Sequence, residues 1–151
     1  MTTPSTKDDL LLALDRAVQE TLTYFDGPGR AAAPPGQWGA WDVLAHFHYW
    51  HDATAWGIAS ASLGGPPWQL SGSADTINAA ALAVRAAEGF DDLLRQLQQA
   101  QARLLHVART APDLDAPAFR MSDGRLVSVG QRLETIARHW RGHVAALQSG
   151  S

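Results

Sequence analysis

Apolar residues recur at three- and four-residue spacings over four long stretches of the chain, and each stretch reads as an amphipathic helix. In the first, Leu11, Leu14, Val18, Leu22 and Phe25 define one face. Ser5 with Asp8 and Thr6 with Asp9 both have N-capping spacing, so this helix is expected to start at Ser5 or Thr6 and to stop before Gly27-Pro28-Gly29. Residues 27 to 37 form a connector, with Pro34-Pro35 favouring extended backbone. The second helix is expected from Gly39 to about Ser62, ahead of Gly64-Gly65-Pro66-Pro67, with Val43, His46, Trp50 and Ala53 on one stripe. After a linker containing Trp68, Asp75 is expected to cap an alanine-rich helix running toward Glu88, with Gly89 interrupting or kinking it. The third long helix runs from Phe90 to Thr110 on the stripe Leu94, Leu97, Gln101, Leu104 and Ala108, and stops at Pro112. Residues 112 to 127 are irregular, with a turn at Ser122-Asp123-Gly124 and a short hairpin between Phe119 and Val127. Ser128 and Gln131 then form a capping box for the last helix, whose stripe is Val129, Leu133, Ile136, Trp140, Val144 and Leu147.

Four long amphipathic helices without a convincing sheet predict an all-α fold, an antiparallel four-helix bundle with an extra short helix or kinked segment between the second and third long helices. At 151 residues, the whole of 1–151 is expected to be a single domain.

Composition narrows the function. With 46% hydrophobic and 18% charged residues and a formal net charge of −3, neither disorder nor a nucleic-acid surface is indicated. The basic residues are Lys7 and eleven arginines scattered from Arg16 to Arg141 among fifteen acids, with no cluster that tracks phosphates. No apolar run approaches the roughly 20 residues that span a bilayer. The N-terminus has a lone lysine followed by Asp8 and Asp9, unlike the basic start of a signal peptide, so a cytoplasmic protein is expected. With no cysteine, disulfides, thiolate-bound zinc and a protein thiol nucleophile are excluded, and any metal must sit on histidine or carboxylate.

The candidate chemistry lies in the histidines. His139 and His143 are four apart, on one helix face, close to the inward stripe, and this spacing lets both imidazoles reach a single ion. The same spacing suits two hydrogen-bonded histidines at the edge of a core, so by itself it leaves both readings open. On the second helix only one of His46, His48 and His51 can be central to an inward site, because His48 and His51 lie about a hundred degrees or more from His46 on either side. His46 is the candidate, since Asp42 one turn earlier can accept a hydrogen bond from its second ring nitrogen. Asp42 also suits the positive end of the helix dipole with no role at a site. His106 falls off its stripe and reads as a surface residue. One inward histidine and an i, i+4 pair give three nitrogen ligands and leave open positions, which characterise catalytic rather than structural metal sites. No serine sits in a nucleophile turn; Glu134 and Asp42 are candidates for proton transfer. Trp38, Trp41, Tyr49, Trp56, Trp50 and Trp140 read as core or as pocket wall, the last two being the pocket candidates because they neighbour the histidines.

The run Trp38-Gly-Ala-Trp-Asp42-Val-Leu-Ala-His46 with Trp50, followed far downstream by His139-Trp-Arg-Gly-His143, resembles the signature of the DinB/YfiT-like superfamily of metalloenzymes and spans most of the chain. Asp75-Thr-Ile-Asn78 leading into Phe90-Asp-Asp-Leu-Leu resembles, more loosely, its ClbS/DfsB and mycothiol-dependent maleylpyruvate isomerase-like branches. The resemblance implies a four-helix bundle with crossover connections, often a homodimer, binding a divalent metal through a triad that maps onto His46, His139 and His143. With all-imidazole ligation, zinc or nickel is expected. It further implies a transferase or isomerase in which the ion lowers the pKa of a low-molecular-weight thiol, such as mycothiol, bacillithiol or glutathione, that attacks a small electrophilic substrate. A metal-dependent hydrolase of a reactive small molecule, as in the ClbS-like branch, is the alternative, and a non-catalytic dimeric metal-binding bundle is the third reading.

Overall fold

The computed structural model describes residues 6–31, 38–70 and 72–149. Their elements are α1 (Lys7–Asp26), a 3₁₀ turn (Pro28–Ala31), α2 (Ala40–Ser62), β1 (Trp68–Gln69), α3 (Ala74–Ala83), α4 (Phe90–Thr110), β2 (Pro117–Arg120), β3 (Leu126–Ser128) and α5 (Val129–Gln148). The protein is mainly helical, with one small sheet.

The helix ends follow local chemistry. Thr6 caps α1, its hydroxyl accepting from Asp9 N at 3.1 Å while the Asp9 carboxylate accepts from Thr6 N at 3.2 Å; the alternative start at Ser5 lies outside the described residues. Ser128 and Gln131 make the same reciprocal pair at α5, with distances of 3.1 and 2.9 Å. The cap of α3 is Ser73, which accepts from Thr76 N at 3.2 Å, and Asp75 sits inside the first turn. That helix ends at Ala83, short of Glu88, and Gly89 is the N-cap of α4 rather than a kink. Lys7, at the start of α1, donates from Nζ to the carbonyls of Arg109 and Ala111, closing the end of α4 where backbone acceptors are left over.

The helices pack α1 on α4 and α5, and α2 on α3, α4 and α5. Leu11, Leu14, Val18, Leu22 and Phe25 are buried as their spacing predicts, joined by Leu10 and Ala17. On α4 the buried stripe begins at Leu93, with Leu94 turned partly outward. The larger departure is in α2, where every residue from Asp42 to His48 is buried. A helix surrounded on all sides has no single apolar stripe. Contacts with α3, α4, α5, β1 and β2 account for that burial.

The expected absence of a sheet is corrected by a three-stranded one, ordered β1-β2-β3. The hairpin pairs Phe119 with Val127 as expected, and its turn carries Gly124 at φ 89. The linker strand β1 adds in parallel, placing Trp68 opposite Phe119. Gly57 lets this sheet lie against α2, since a Cβ there would come within 2.5 Å of the Ala118 carbonyl oxygen. Among the described residues, no helix is long and apolar enough to cross a membrane.

Candidate metal centre

His46 projects from the second turn of α2 and His139 and His143 from successive turns of α5, and the packing of α2 on α5 brings the three together. His46 Nε2 is 2.8 Å from His139 Nε2, and His139 Nε2 is 3.1 Å from His143 Nε2. Each ring offers a nitrogen within 4.8 Å of the other two, an arrangement that could hold a metal ion. His48 and His51 point elsewhere: His48 Nε2 faces the Leu93 carbonyl at 3.4 Å and His51 Nε2 meets Gln101 Oε1 at 2.7 Å. His106 is exposed.

Hydrogen bonding alone does not satisfy this cluster. A neutral imidazole nitrogen carries either one hydrogen or one in-plane lone pair, so His139 Nε2 cannot make two good bonds at once. A cation at the common centre accepts all three lone pairs. Ligand nitrogens about 2.0–2.1 Å from a tetrahedral zinc stand about 3.3 Å apart, a few tenths of an ångström wider than the observed pairs, a difference that small ring rotations cover.

The electrostatics favour neutral rings. Burial, then the neighbouring His143, pulls the pKa of His46 down to about 4, partly offset by the nearby Asn78 carboxamide. Burial, then His46, His143 and Arg132, pulls His139 down to about 3, and burial lowers His143. Neutral imidazole is the form that ligates.

Aromatic rings hold the cluster in place. Phe47 stacks on Trp140, with centroids 3.8 Å apart, and lies nearly perpendicular to the rings of His139 and His143. Trp38 stacks on His143 at 6.0 Å and meets His46 edge-on at 5.3 Å, while remaining 45% exposed. Its backbone is left-handed, φ 54, which costs energy for a bulky residue.

The expected bond from His46 to Asp42 is not made. The Asp42 carboxylate accepts from Gly39 N at 3.1 Å, serving the start of its own helix, and His46 Nδ1 is buried without a hydrogen-bond partner. The two pocket candidates separate. Trp140 is fully buried core, whereas Trp50 lines a cavity of about 470 Å³ beside His139 and donates from Nε1 to Asn78 at 3.0 Å. Glu134 is exposed and borders other clefts. The cavity wall is completed by Leu70, Met121 and, from α5, Arg132, Thr135 and Arg138. Arg132 was open to prediction, because a charged residue three past Val129 falls on the inward stripe of α5. Trp38 opens the motif quoted above and is among the aromatics read as core or pocket wall, while Asn78 has no predicted role at the site.

No family model, curated protein or solved structure matches the chain.

Proposed function

We propose that the chain is a four-helix bundle of the DinB/YfiT-like type that binds a divalent metal ion, zinc or nickel, on His46, His139 and His143 and performs thiol-dependent transfer or isomerisation on a small electrophilic molecule. One observation carries the reading: three buried or half-buried imidazoles, neutral at physiological pH, converge through Nε2 beside an open cavity. An ion held there would supply Lewis acidity, lowering the pKa of a thiol or water in a remaining position.

The chain's own residues set the conditions for that chemistry. Burial keeps the three rings unprotonated, and Phe47 and Trp38 fix their orientation. Trp50, Leu70 and Met121 give the cavity an apolar wall against which the carbon skeleton of a small molecule can pack. With no cysteine in the chain, the thiol comes from outside, as mycothiol, bacillithiol or glutathione. The same reading implies a cytoplasmic homodimer with small-molecule rather than nucleic-acid or membrane partners, and sedimentation equilibrium tests the dimer.

The experiment is a cobalt substitution. Elemental analysis of the purified protein is expected to find one divalent ion per chain, absent from a His46→Ala/His139→Ala/His143→Ala variant. Titrating the cobalt protein with the three thiols is expected to change its absorption spectrum with at least one of them, because sulfur ligation alters the coordination set. No change with any thiol, together with turnover of an activated ester in plain buffer, replaces this reading with the hydrolase. No metal uptake at all ends it.

A further inference from the structure

Beside the histidine cluster lies a buried cation that no acid among the described residues neutralises. Arg132 is 9% exposed, and burial lowers its pKa only to about 10, so it is charged at neutral pH. Its Nε donates to Thr54 Oγ1 at 2.9 Å, and the Thr54 hydroxyl is itself oriented by donating to the Trp50 carbonyl at 2.6 Å. The guanidinium carbon lies 4.5 Å from the Phe119 ring centroid and 5.5 Å from that of Trp50. These contacts hold the group in one orientation. Among the described residues Arg132 makes no ion pair and no other hydrogen bond, which leaves both Nη groups without a protein partner.

An arginine this buried is ordinarily paired with a carboxylate. Here it lines the cavity that reaches His139, and that lining contains a second cation, Arg138, and no acid. A guanidinium fixed by its Nε and flanked by rings presents its Nη groups as a planar fork, which matches the two oxygens of a carboxylate. Arg132 and His139 are two helical turns apart on α5, about 10 Å along the axis. A cavity of about 470 Å³ suits a molecule of metabolite size spanning that distance.

We propose that Arg132 anchors a carboxylate of the small molecule that reacts at the histidine cluster, so that the acid end sits on Arg132 and the reacting end at His46, His139 and His143. The proposal rests on that cluster being the reactive centre, and it adds that one of the reactants is a carboxylic acid. Arg132 is a positioning residue for the reacting end and a binding residue for the acid.

The test uses the full chain, metal-free and zinc-loaded, and isothermal titration calorimetry with 4-phenylbutyrate, 4-phenylbutyramide and inorganic phosphate. The acid is expected to bind the metal-free protein at least tenfold more tightly than the amide or phosphate. Arg132→Gln is expected to bring the acid down to the level of the amide, with Arg132→Lys, which keeps the charge and loses the fork, in between. Arg16→Gln, on the exposed face of α1, leaves the affinity unchanged. Should Arg132→Gln fail to fold, Arg132→Lys and the acid-to-amide ratio decide the matter. Glutathione that displaces the acid assigns the anchored carboxylate to the thiol, and glutathione that does not displace it assigns the carboxylate to the electrophile. Equal binding of acid and amide, no binding of the acid, tighter binding of phosphate, or full affinity in the Arg132 variants overturns the proposal. Failure of the metal reading is separate, appearing in equilibrium dialysis as absent zinc uptake while the acid still binds.

Discussion

The Nε2 atom of His139 has two histidine neighbours at hydrogen-bond distance and the capacity to satisfy one. A metal ion shared by the three residues would resolve that mismatch and would make their substitutions separable from those of the other histidines. Replacing His46, His139 or His143 singly with alanine is expected to weaken zinc binding by more than the roughly 100-fold that loss of a residue supporting a ligand can cost. Replacing His48 or His106 is expected to leave it within a few-fold of wild type. Equilibrium dialysis against a competing chelator reads both, and an essential His48 with a dispensable His46 would mean that α2 presents another face to α5.

His51 has a different assignment. Asp15 Oδ1 accepts from Gln101 Nε2 at 3.1 Å, which turns Gln101 Oε1 toward His51 and requires the hydrogen on His51 Nε2. Full burial, the main cause, pulls the pKa of His51 down to about 4, against an unfolded value near 6.5. Because the folded pKa is depressed, the unfolded chain takes up the proton first. The stabilising effect is complete above about pH 6.5 and is lost as pH falls toward 4, a change on the order of 2 kcal/mol by pH 4.5. His51→Leu is expected to flatten the dependence of the urea midpoint between pH 7 and 4.5 in chelator-treated protein. It is also expected to cost about 1–3 kcal/mol at pH 7, where Gln101 Oε1 is left without its donor. An unchanged pH slope would place the titration in other groups.

Helix α2 packs against three other helices and two strands of the sheet. At Gly57, β2 runs so close that a methyl group would press on the Ala118 carbonyl and the Phe119 ring. Alanine favours a helix by about 1 kcal/mol over glycine, while overpacking against backbone costs about 1–3 kcal/mol. Gly57→Ala is therefore expected to lower the melting temperature, and a raised one would mean that the sheet can move away from the helix. This packing also explains what the sequence made legible. The stripes of α1 and α5 and the capping pairs Thr6 with Asp9 and Ser128 with Gln131 depend on spacing within one segment, and they stand where spacing put them. The convergence of His46, His139 and His143 was legible because each lies on or beside a stripe. Two features depend on partners distant in the chain and left no periodic trace, the burial of α2 on all sides and the two-residue strand β1, whereas the turn of Asp42 toward Gly39 is local and matches the helix-start alternative for that residue. Arg132 was not singled out in the sequence, although a cation on an inward stripe is itself a signal that something must meet it.

The histidine cluster joins segments 93 residues apart, linking α2 near the front of the chain to α5 at its end. A ligand that binds only when both helices are in place stabilises the whole fold by mass action, because the unfolded chain offers the three rings at no common point. At a zinc concentration 100 times the dissociation constant the gain is about 2.7 kcal/mol, and for a chain of this size each kcal/mol moves the melting temperature by about 2–4 °C. Zinc is therefore expected to raise the melting temperature of chelator-treated protein by about 5–10 °C, with the shift growing as the logarithm of zinc concentration. The triple histidine variant is expected to show no shift. Arg132→Gln is expected to show the full wild-type shift from its own starting point, because its side chain faces the cavity and its lost contacts, to Thr54, Trp50 and Phe119, do not involve the ligand nitrogens. Differential scanning calorimetry of the three proteins separates the two roles: a zinc shift that survives in the triple variant places the metal elsewhere, and one that disappears in Arg132→Gln makes the arginine part of the support of the metal centre rather than the anchor of an acid.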